Sequence, residues 1–84
     1  MASTDNSTNR LDIDTLFQEL AQAIDSNIGN ETHLTELREI VRQMEVTQGT
    51  LNYVPWFHKL VGYAADYVTV LGPFLPALGK LVAG

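Results

Sequence analysis

No cysteine occurs in the chain, which excludes a disulfide, a thiolate nucleophile and a thiolate metal ligand. Basic residues are scarce. Five Lys and Arg stand against ten Asp and Glu, and the resulting charge of −5 repels phosphate backbones at long range, so nucleic acid is not an expected partner. The only serines, Ser3, Ser7 and Ser26, fall in expected tail or loop, away from the base and orienting group that an activated hydroxyl needs. His33 and His58 lie on different expected helices, and neither has a second histidine one helical turn away, so no metal site is expected. The glycines form no phosphate-cradling pattern. Asp12 and Asp14 are close in sequence, but acids gather at a helix start for capping reasons, and no catalytic pair is read there. Long apolar runs are missing as well: the stretch from Val54 to Leu71 is interrupted by His58, Lys59 and Asp66 before Gly72-Pro73 ends it. These absences predict a non-enzymatic protein with no cofactor, no metal and no small-molecule substrate.

What is present predicts an all-α protein, a small bundle of three to four helices with a flexible N-terminal tail. Hydrophobic residues make up 45% of the chain and charged residues 18%, a balance that favours a compact domain over disorder. A chain of 84 residues forms one domain at most, and near this size only about 60–65% of the unfolded surface is buried. Residues 1–10 are rich in Ser, Thr and Asn and read as a solvated tail, which leaves 11–84 as a single helical domain. Composition changes near Gly49. Residues 1–50 hold nine acids and three bases, a charge of −6, whereas residues 51–84 hold only Lys59, Lys80 and Asp66, a charge of +1. The domain thus divides into an acidic helical hairpin, 11–50, and an apolar helical segment, 51–84.

In the hairpin, Ile13, Phe17, Leu20 and Ile24 recur at helical spacing and predict a first helix over 14–26, capped at Asp14 or Thr15. Asn27-Ile28-Gly29 supplies its stop. Asn30 is a natural cap for a second helix over 31–47, whose seam is Leu34, Leu37, Val41, Met44 and Leu51. The short connection predicts that the two helices are antiparallel neighbours. A third helix is predicted over 55–71, with Pro55 at its first position and a wide apolar arc through Phe57, Leu60, Val61, Ala64, Tyr67, Val68 and Leu71. His58, Lys59, Gly62, Asp66 and Thr69 form its narrow polar strip. This helix is the expected centre of the bundle. Gly72-Pro73 breaks it, and residues 74–83 form a short fourth helix bent around Pro76 and Gly79.

The last eleven residues, Phe74-Leu75-Pro76-Ala77-Leu78-Gly79-Lys80-Leu81-Val82-Ala83-Gly84, resemble the temporin-type membrane-active peptides of amphibian skin. Such peptides often open with Phe-Leu-Pro and carry one cation in an apolar helix. The resemblance covers 11 of 84 residues and implies an affinity of this segment for lipid.

Two functions are weighed on this basis. The first is a helical protein-interaction or assembly module, an adaptor acting on a protein partner or on a second copy of itself; the abrupt apolar end at Leu81-Val82-Ala83-Gly84 would suit the N-terminal domain of a longer protein. The second is a membrane-associating protein whose residues 53–84 insert into lipid or oligomerise, with Tyr53, Trp56, Tyr63 and Tyr67 at the interface. In both, the candidate contact residues are Trp56, Phe57, Leu60, Tyr63, Tyr67, Phe74, Leu75 and Leu78. The N-terminus lacks the basic and apolar stretches of a signal peptide, which favours a cytoplasmic or membrane-associated setting.

Overall fold

A computed structural model describes the backbone of residues 2–82 and side chains from Ile13 onward; the extreme C-terminus lies outside the described residues, and the segment expected as a tail at 1–10 is helical in backbone from Ala2 on. The protein is all-α, a small helical bundle. Helix α1 spans Ala2–Asn27, α2 Glu31–Thr47, α3 Tyr53–Ala64, α4 Val68–Leu71 and α5 Leu75–Gly79, with a 3-10 turn Gly72–Phe74 between the last two. No strand occurs among the described residues.

The hairpin forms as its periodicity demands. Phe17, Leu20, Ile24 and Ile28 of the first arm and Leu37, Ile40, Val41 and Met44 of the second are buried, and α1 packs along α2. Asn30 caps α2 through its side-chain oxygen, which accepts the backbone N–H of His33 at 3.0 Å. Arg38 of α2 reaches back to Asp25 of α1, Nε to Oδ1 2.8 Å, across the exposed side of the hairpin. Asp14 and Thr15 lie inside α1 and not at its start, so no cap is needed there. Leu51, expected on the α2 seam, is 79% exposed, because the helix ends at Thr47 and Gly49 turns the chain away with a φ of 79°.

The second half departs further from its periodicity. The helix expected over 55–71 is split: α3 stops at Ala64, and Tyr67 leaves helical geometry at φ −124°, ψ 48° before α4 restarts. The N–H groups of Asp66 and Tyr67 both donate to the carbonyl of Tyr63, closing the first helix, and the carbonyl of Tyr67 accepts from Val70 and Leu71, opening the next. The physical reason lies in packing. At about 1.5 Å per residue, a straight helix would carry Leu71 about 10 Å beyond Ala64 and away from the hairpin. The break instead turns α4 onto α1 and buries Leu71 completely. The wide arc is likewise only partly covered: Leu60 and Ala64 are buried, but Val61 is 41% and Val68 66% exposed. A chain this small has too few elements to surround α3, which packs chiefly on α2 and does not form the centre of the bundle.

Tyr53 ties the C-terminal segment down. Read from sequence as an interfacial aromatic, it is fully buried, and its hydroxyl donates to the carbonyl of Leu78 at 2.7 Å. Burial pushes the Tyr53 phenol up to about 12. Its ring stacks on Phe57 at 6.0 Å between centroids.

Candidate functional site: a charged aromatic groove between α2 and α3

Glu36, Glu39 and Ile40 stand at i, i+3 and i+4 on α2 and therefore share one face. Trp56, Lys59, Gly62, Tyr63 and Asp66 share the facing side of α3 and the turn after it. Together they line a groove of about 550 Å³. From Trp56 to Asp66 the α3 wall runs about 15 Å at the rise of an α-helix. Ile40 is buried and forms the floor, while Trp56 and Tyr63 are half-buried walls. Gly62 keeps the groove open: a β-carbon there would meet nothing within 4 Å, and its backbone has ordinary helical geometry.

The charges of the groove are set by local partners. Glu39 accepts from Gln43 Nε2 at 2.7 Å and from Arg42 at 3.3 Å, and these contacts hold its carboxyl below the usual range, the Gln43 hydrogen bond contributing most. The Tyr63 hydroxyl donates to Glu36, and chiefly through that bond its phenol is pushed up to about 12. Lys59 lies over the Trp56 indole, Nζ 4.4 Å from the ring centroid, in a cation–π contact. Among the described residues the ion pairs are Asp25–Arg38 and Glu39–Arg42, so Glu36, Asp66 and Lys59 enter the groove without an ion-pair partner. Three carboxylates face one ammonium.

Behind the groove, His33 joins α2 to the break after α3. Its Nδ1 is 2.6 Å from the Tyr67 hydroxyl, and its ring meets Tyr63 and Tyr67 edge-on at 5.3 and 5.7 Å. This cluster positions Tyr63 as a groove wall.

The eight candidates read from sequence therefore separate. Trp56 and Tyr63 meet in the groove, and Tyr67 supports it from behind. Leu60 and Leu78 are fully buried inside the bundle. Phe57 stacks on Tyr53, and its Cζ lies 3.7 Å from where a β-carbon of Gly79 would stand. Phe74 and Leu75 pack half-buried against the core, away from the groove. Sequence reasoning missed Glu36, Glu39, Ile40, Gly62 and the pairing of Lys59 with Trp56. The spacing of Glu36, Glu39 and Ile40 was a usable signal for one wall, but nothing local indicated which face of α3 it would meet.

A second groove of about 700 Å³, between α1 and the C-terminal turn, is lined by Ile13, Thr15, Leu16, Glu19, Ala77, Lys80 and Leu81 and has no aromatic among them. No group of three His, Cys, Asp or Glu side chains that could hold a metal converges among the described residues, and none of their helices is long and apolar enough to cross a membrane. No family model, curated protein or solved structure matches the chain.

Proposed function

We propose that the protein is a non-enzymatic interaction module whose α2/α3 groove docks a basic helical segment of a partner protein. The observation that carries this reading is the groove itself, an open channel about three helical turns long with aromatic walls and an excess of carboxylates. A channel that follows two helices suits a third helix laid along it, with apolar anchors between the walls. Half-buried Trp and Tyr are the residue types that most often dominate binding energy at such surfaces. With Glu39 already paired to Arg42, Glu36 and Asp66 against Lys59 leave one uncompensated negative charge in the groove, and the whole chain carries −5, so charge complementarity selects a basic partner and speeds its encounter.

The test is titration of the full chain with an amphipathic Leu/Lys peptide of about 18 residues, long enough to form a helix. The single tryptophan is the reporter. Binding should shift Trp56 emission and weaken steeply with salt. Gly62→Gln, which fills the channel without backbone strain, should abolish binding while the helical circular dichroism stays unchanged. Equal binding by wild type and Gly62→Gln would defeat this assignment.

A second reading places residues 53–84 on a membrane surface. It draws on the charge-free stretch from Tyr67 to Gly79 and on Val68, 66% exposed within it. Co-sedimentation with phosphatidylcholine vesicles separates the two: lipid binding that survives Gly62→Gln and is lost in Val68→Asp would favour the membrane.

A further inference from the structure

The wall of the groove already holds a cation. Lys59 belongs to the polar strip of α3 and is exposed, yet its ammonium rests 4.4 Å from the centroid of the Trp56 indole instead of reaching a carboxylate within ion-pair distance. An indole face attracts an ammonium or a guanidinium through its quadrupole, and it accepts one such group at a time. Glu36, Glu39 and Asp66 line the same channel and deepen the negative potential in which that cation sits. Gly62, three residues beyond Lys59, leaves the space next to it open to solvent.

Resting on the docking function proposed above, we infer that the Trp56 face is the specificity position of the groove, and that Lys59 fills it in the free protein until a lysine or arginine side chain of the partner displaces it. Lys59 thus acts as an internal competitor. It satisfies the Trp56 face when no partner is bound, and its own positive charge repels the incoming one. Its long, flexible stem lets the ammonium swing outward to solvent without disturbing α3. A partner helix must therefore bring a cation at the position that meets Trp56, while its apolar residues meet Ile40 and Tyr63. A neutral helix of equal apolarity would leave Lys59 in place and find the channel partly blocked.

Lys59→Met keeps the stem and removes the charge. Calorimetric titration with the Leu/Lys peptide should show binding about threefold to tenfold tighter to Lys59→Met than to wild type, the size expected for one exposed cation–π contact freed for the ligand plus one repulsion removed. The same peptide with every lysine replaced by glutamine should gain nothing from the substitution once the lost charge is matched for salt dependence. In a Trp56→Leu background, the contribution of the π face to the gain should vanish. If the peptide binds wild type in a manner blocked by Gly62→Gln, yet binds Lys59→Met equally or more weakly, the displacement inference is overturned and the docking groove stands. If the peptide fails to bind wild type and Lys59→Met alike, both are overturned.

Discussion

The two halves of the protein reach the same helical state by different routes. The acidic hairpin is built from long helices whose stripes, cap and stop are all local, and it supplies Phe17, Leu20, Ile24, Ile28, Leu37, Ile40, Val41 and Met44 to the core. The apolar half is richer in hydrophobic residues but buries fewer of them: Tyr53, Leu60, Ala64, Leu71 and Leu78. Its helices after Ala64 are four to five residues long, far below what is stable in isolation, and are punctuated by Gly72, Pro73 and Pro76. They persist because tertiary contacts hold them: α4 packs on α1 with Leu71 fully buried, and the Leu78 carbonyl accepts from Tyr53. Hydrophobic composition is therefore a poor guide to burial here. The surplus apolar and aromatic surface of the second half is what forms the wall of the groove.

The largest expected effect contrasts two neighbours on α3. Leu60 is fully buried and Val61 is 41% exposed. Leu60→Asp should cost more than the roughly 2–5 kcal/mol of a buried Leu→Ala truncation, because it also leaves a carboxylate in apolar surroundings. Against a total stability of about 4–13 kcal/mol for a chain this long, it should unfold the domain or nearly so. Val61→Asp should remain folded, within about 0.5 kcal/mol of wild type as for other surface changes. Thermal melts by circular dichroism decide it, and equal losses in both variants would refute the placement of Leu60 inside and Val61 outside.

Leu78→Ala should follow, at about 2–5 kcal/mol. Its effect should be regional. Hydrogen exchange should show amides of α4 and α5 losing protection while those of α1 and α2 keep most of theirs. Uniform loss along the chain would mean that the halves unfold as one unit and that the contrast between them is only compositional.

Tyr53→Phe should cost about 1–2 kcal/mol by leaving the Leu78 carbonyl without its donor. The same phenol predicts an alkaline limit. Its folded value is raised from 10.0 to about 12, so the fold favours the protonated form. The associated stability is complete below pH 10 and is lost as pH rises toward 12. Tyr63, raised similarly by its bond to Glu36, acts in the same window. Urea melts across that range should show a shallower decline in Tyr53→Phe, and an unchanged slope would argue against burial of the phenol.

The smallest effect runs in the stabilising direction. Gly62→Ala should add about 0.5–1 kcal/mol, since Gly62 sits in the exposed interior of α3 with free space around it. A loss of stability would show that the groove at Gly62 is tighter than described.

Helix class, hairpin, the Asn30 cap and the stop at Asn27-Ile28-Gly29 were readable from sequence because each depends on residues within a turn or two of one another. So was the exposure of the polar residues His58, Lys59, Gly62, Asp66 and Thr69, although the helix expected to carry them is split between α3, the turn after it and α4. The break at Tyr67 was not readable, because Ala64, Ala65 and Asp66 carry no helix-stopping residue and the turn is stabilised by packing on α1 and by the contact with His33, 34 positions away in sequence. Nor was the groove. Periodicity shows which residues share a face of one helix, but the meeting of Glu36 and Glu39 with Trp56, Lys59 and Asp66 depends on how two helices pack. By itself the sequence determined the apolar stripes of the hairpin, the end of α1 and both ends of α2, though not where α1 begins, and the uneven distribution of charge, which are short-range or compositional. Only the tertiary structure decided which apolar residues were left for the surface, since there were more of them in the second half than so small a fold could enclose.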